Sequence, residues 1–114
     1  LNSTLLVFKI LLSAAFLLAG GAKLAGAKPL AEQFREFGLP AWTMPLVGVL
    51  EIAGAGGLWL EPFTGWAALG LAGLMLGALA NHAKARHSFS KSVPSGVLLL
   101  ISLLLAGGIF QFDH

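Results

Sequence analysis

The sequence predicts an all-α membrane protein, a single domain (1–114) of four transmembrane helices in an up-down bundle with a short amphipathic interfacial helix in the first loop. Three observations predict it. Apolar runs cover residues 4–25, 43–60, 65–81 and 94–110, each close to the roughly 17–25 residues that a bilayer core demands. Charged residues make up 11% of the 114-residue chain and hydrophobic residues 57%, against about 25% charged in a soluble domain. The third observation is where the charges fall: within the four runs the Asp, Glu, Lys and Arg are Lys9, Lys23 and Glu51. Backbone polar groups in lipid must pair within the segment, so the runs should be helices.

The first run carries Lys9, Ser13, Phe16, Gly20 and Lys23 at intervals of four, three, four and three. That stripe stays on one side of a helix and is predicted to face inward. Ala25-Gly26-Ala27 also resembles a small-residue cleavage site. The run is longer than the roughly 7–15-residue core of a signal peptide, which favours a membrane span.

In the first loop, Leu30, Phe34 and Phe37 share one helical face while Glu32, Gln33, Arg35 and Glu36 fill the other. Pro29 suits a first helical position and Gly38 a C-terminal stop. This helix is expected in the headgroup plane, or else packed on the end of the bundle.

Glu61-Pro62-Phe63-Thr64 is long enough only for a tight turn, so the second and third helices must be antiparallel neighbours. Trp42 before the second run, and Trp59 and Trp66 around the turn, suit interfacial aromatic belts. The third run presents Gly70, Gly73, Gly77 and Ala80 on one face, with a G-x-x-x-G motif at Gly73 and Gly77. Close packing on another helix, within the bundle rather than between copies, is expected there. Ser95, Ser102 and Ala106 mark a comparable face on the fourth run.

Orientation follows from the basic residues. Lys23, Lys28, Arg35, Lys84, Arg86 and Lys91, six of the seven Lys and Arg, sit at or in the first and third loops. The positive-inside rule then places loops 26–42 and 82–93 in the cytoplasm and both termini outside. So few basic residues, set beside apolar spans, give no basic face for nucleic acid. The chain has no cysteine, which excludes disulfides, thiolate metal sites and a dithiol relay of its own.

Candidate chemistry concentrates in an intramembrane polar cluster of Lys23, Glu51, Asn81 and His82. Glu51 lies near mid-bilayer, where an ionised carboxylate costs at least about 2.5–3.5 kcal/mol. Gly48, Ala55 and Trp59 share its helix face, and the small residues let a neighbouring helix approach. Side chains lean toward the N-terminus of their helix. Lys23 therefore leans into the membrane and Glu51, on an antiparallel helix, leans back to meet it, predicting an ion pair, direct or water-bridged. Lys9 leans outward and is expected to snorkel to water.

His82 could relay a proton, hydrogen-bond a quinone carbonyl or ligate a metal; at a helix C-terminus it could equally complement the dipole. His87 falls in the loop and His114 at the opposite surface, so a bis-histidine haem is not expected. No zinc spacing, phosphate loop or nucleophile with an adjacent base appears, and no metal site is expected.

Gly20-Gly21-Ala22-Lys23-Leu24, Phe37-Gly38-Leu39-Pro40, Glu51 and Ala80-Asn81-His82, in this order and spacing, resemble the DoxX-like family of small four-helix membrane proteins over nearly the whole chain. The resemblance implies an up-down bundle with a re-entrant or interfacial first loop. Some members of that family are named as subunits of a thiosulfate:quinone oxidoreductase, others accompany redox complexes, and distant ones assist assembly or cargo transport. A shared fold does not carry one reaction, and branches that work on thiols would need the cysteines this chain lacks.

Three functional expectations follow. The first is a non-catalytic accessory or assembly subunit of a larger membrane redox complex, contacting lipids and other membrane-protein subunits or further copies of itself. The second is an oxidoreductase subunit holding a quinone or other isoprenoid lipid between helices, with Lys23, Glu51 and His82 around its head group. The third is a small proton or solute transporter working through the Glu51 region.

Overall fold

The computed structural model describes residues 3–87 and 89–112, so both termini, His114 included, lie outside the described residues. Among those residues the chain is all-helical: α1 (Ser3–Leu24), α2 (Lys28–Glu36), α3 (Thr43–Gly57), α4 (Thr64–Lys84) and α5 (Phe89–Phe112). α1, α4 and residues Lys91–Ile109 of α5 are long and apolar enough to cross a membrane. α3 is apolar but has 15 residues, about 22 Å of helix at 1.5 Å per residue.

The helix ends depart from the expected runs for local reasons. α3 stops at Gly57 because two glycines weaken its last turn, and the amides of Trp59 and Leu60 close tight turns onto the Gly56 and Gly57 carbonyls. The Thr64 hydroxyl donates to the Leu58 carbonyl at 2.8 Å and ties the α3–α4 turn together. α4 runs past Asn81 to Lys84 because apolarity ends before the backbone hydrogen bonding does. α5 begins five residues ahead of Pro94; the proline omits one ladder bond, in the second turn, close to the helix start.

α1 packs on α3 and α5, α3 on α4, and α4 on α5, so these four contact one another in a closed cycle. At the crossing of α1 and α3 two backbones meet. A Cβ on Gly20 would lie 2.7 Å from the Gly48 carbonyl oxygen, and one on Gly48 would lie 2.8 Å from that of Gly20. Only glycines permit that approach. The predicted stripe faces inward, with Lys9, Ser13, Phe16 and Gly20 buried, and Ser102 and Ala106 are buried on α5. Leu12, Phe16, Leu58, Leu71 and Leu105 complete the core, while Leu18, Trp66 and Leu100 point outward.

Two expectations are corrected. Gly70, Gly73 and Gly77 do not mediate helix packing within the chain: all three are exposed, and a Cβ on any of them meets no atom within 4 Å. The packed face of α4 is instead Ala68, Leu71, Ala72 and Met75, which at 3.6 residues per turn lies roughly opposite the glycines. Lys9 does not snorkel. It is buried, with Nζ 4.9 Å from the centre of the Trp59 ring. That ring donates its Nε1–H to Ser13 Oγ at 2.6 Å, pinning the C-terminal end of α3 to α1.

Candidate functional site

α3 and α4 touch near their connecting turn, where Gly57 meets Ala67 and Gly54 meets Leu71. Further from the turn their facing residues line a cavity of about 390 Å³ instead of each other. α2 closes its end with Leu30, Gln33 and Phe34, and α5 contributes Lys91, Pro94, Ser95 and Leu98. Gly73 and Gly77 sit on its exposed rim, where the missing side chains keep it open. Its size falls in the roughly 300–1,000 Å³ range of small-molecule sites.

The four residues of the expected polar cluster, Lys23, Glu51, Asn81 and His82, all line this cavity. The Gly20–Gly48 crossing explains the first pair. Lys23 and Glu51 each lie three residues after their glycine, one turn to either side of the crossing, and their opposed lean closes the gap. Lys23 Nζ stands 2.8 Å from Glu51 Oε1, with the two side chains 12% and 1% exposed. Lys23 therefore serves Oε1, and beyond that contact neither buried carboxylate oxygen meets a hydrogen-bond donor among the described residues. Oε2 is left bare. A carboxylate accepts about four hydrogen bonds, so this wall of the cavity has acceptor capacity to spare. Asn81 donates Nδ2–H to the Gly77 carbonyl at 2.9 Å.

His82 belongs to a larger group that the sequence did not disclose. Its Nδ1 lies 2.7 Å from His87 Nδ1, and His87 Nε2 lies 2.7 Å from Glu36 Oε1. Phe37 backs both rings, 5.1 Å from His82 edge-on and 5.4 Å from His87. The end of α4 brings the histidines together. The Arg86 amide bonds the Ala83 carbonyl and the His87 amide bonds the His82 carbonyl, a Schellman cap, which puts the side chains of its third-last helical residue and of the residue after the left-handed one in contact. The left-handed position is Arg86, at φ 58°. Helix ends of this kind usually announce themselves with glycine, as Gly26 (φ 75°) does after α1 and Gly38 (φ 76°) after α2. An arginine there hid the cap, and with it the pairing of His82 and His87.

The sequence profile of the DoxX-like family matches residues 7–105, a span that contains every cavity residue named above. The chain belongs to the DoxX-like family. It is 33% identical over 104 residues to a Bacillus subtilis (strain 168) protein named "Uncharacterized protein YdgD", covering 85% of this chain and 90% of that one. No solved structure matches it. For a DoxX-like chain the membership fits apolar helices and an integral membrane protein, and it leaves the chemistry to be argued from the cavity.

Proposed function

We propose that this DoxX-like protein crosses the membrane four times, α3 included, as an up-down bundle, and holds an amphipathic isoprenoid-type ligand, such as a quinol, in the cavity between its helices. The carrying observation is Glu51, 1% exposed at the cavity wall, with Oε1 held by Lys23 and Oε2 without a donor among the described residues. A buried carboxylate in that condition is costly, and a ligand hydroxyl would relieve it. The cavity suits such a molecule: Glu51 accepts from its hydroxyl, Lys23 and His82 flank the head group, and Leu74, Leu98 and the open glycine rim receive its apolar tail.

In this arrangement loops 26–42 and 82–93 face the cytoplasm, both termini lie outside, and α2 rests at the interface over the ligand's head group. Trp42 and Trp59, both exposed, extend the short α3 toward the two headgroup regions. The chain binds and positions, while a partner in the same membrane carries electrons, which makes it an accessory or assembly subunit of a larger membrane redox complex. The exposed apolar faces of all four helices support such a neighbour as well as lipid.

Extraction in native nanodiscs, followed by solvent extraction and mass spectrometry, tests the ligand. About one hydroxyl-bearing isoprenoid molecule per chain is expected, and a preparation carrying bulk phospholipid alone contradicts the assignment. Proteins that co-purify from the same nanodiscs test the subunit role; a monodisperse chain without companions opposes it.

A further inference from the structure

The chain of contacts from Glu36 through His87 to His82 does more than cap a helix. Glu36 is on the surface, its side chain 53% exposed, whereas His87 is 6% exposed at its side chain and His82 is buried against the cavity. A ladder of three titratable groups, each 2.7 Å from the next, thus leads from water to the interior. An Nδ1–Nδ1 contact of that length holds one proton between the rings, because two N–H groups or two bare nitrogens would repel.

We propose that Glu36, His87 and His82 form a proton wire between the aqueous surface at α2 and the cavity. The carboxylate sets its resting polarity. Glu36 accepts the Nε2–H of His87, which leaves His87 Nδ1 bare; His82 must then donate Nδ1–H to it, and its own Nε2 becomes the free acceptor. A proton taken up at His82 Nε2 makes that ring cationic. The ring passes its Nδ1 proton to His87 Nδ1, His87 passes its Nε2 proton to Glu36, and the carboxyl group releases it to water. One proton enters and one leaves. Afterwards His82 carries its proton on Nε2 and has become a donor, and the reverse passage restores the starting tautomers. The other titratable groups that line the cavity with His82 are Lys23 on α1, Glu51 on α3 and Lys91 on α5.

The wire deepens the ligand reading, because a hydroxyl held in this cavity could exchange its proton with the aqueous phase. It can nonetheless be tested without any ligand, with water as the probe. In the full chain labelled with ¹⁵N-histidine in nanodiscs, NMR reads the ring tautomers and the exchange of the His82 ring proton with water. Exchange at least about tenfold slower than in the native chain is expected for both His87→Phe and Glu36→Gln, while Lys28→Ala, at the start of the same helix, leaves it unchanged. Rates within twofold of the native chain in both variants would overturn the wire. Because the measurement follows water exchange and needs no ligand, a failure to recover bound isoprenoid would sink the ligand reading alone.

Discussion

A buried ion pair stabilises a fold weakly as a unit, yet removing one member is costly, because the other is stranded in low dielectric. Lys23 and Glu51 are such a pair, with a glycine crossing holding them in place. Glu51→Ala is expected to destabilise the protein by about 3–5 kcal/mol. Glu51→Gln, which keeps volume and hydrogen-bonding capacity, should cost less, and Lys23→Met/Glu51→Met should recover most of the loss. Unfolding in detergent at increasing SDS reads all three, and equal losses for Ala and Gln would contradict the pairing. Arg86 offers the opposite sign. Its left-handed backbone is disfavoured by roughly 1–2 kcal/mol for a side chain with a Cβ, so Arg86→Gly should raise stability, by up to about 1 kcal/mol in the same assay. Lys23 and Glu51 were legible in the sequence because the lean of helical side chains is fixed by geometry alone. The His82–His87 contact was not, since it depends on a left-handed residue that nothing in an arginine signals.

At the level of helices, glycines play opposite parts on different elements. Gly20 and Gly48, which no short pattern singles out as partners, bring two helix backbones into contact, whereas the Gly73-x-x-x-Gly77 motif brings none. Spacing tells which residues share a face but not which face meets a neighbour, and α4 buries the side opposite its glycines. Gly48→Ala is therefore expected to lose about 1–3 kcal/mol, the usual cost of overpacking. Gly73→Ala should be neutral or gain up to about 1 kcal/mol from helix propensity. A matching loss at Gly73 would show that this face is covered in the native membrane, by a second copy or another subunit.

Across the whole molecule, four apolar runs, a tight second turn and the first-loop amphipathic helix were readable because periodicity and length record them directly. The cavity was not, because it arises where α3 and α4 separate and is lined from α1, α2 and α5 as well, so it depends on how helices distant in sequence meet. A chain free of cysteine makes the architecture directly testable. Single cysteines in 26–42 and 82–93 should label from the cytoplasmic side and one at Pro62 from the other; Pro62 on the same side as 26–42, with 82–93 opposite, would remove α3 as a crossing.

The central claim, that the space beside Lys23 and Glu51 is a ligand site, is tested most directly by native mass spectrometry of the wild-type chain beside Gly77→Phe. The substitution meets no neighbour at its Cβ, so the fold should persist while the new ring blocks the rim. The wild-type chain is expected to carry a single adduct of one discrete mass that the variant lacks. Identical spectra from the two, with or without an adduct, would contradict it.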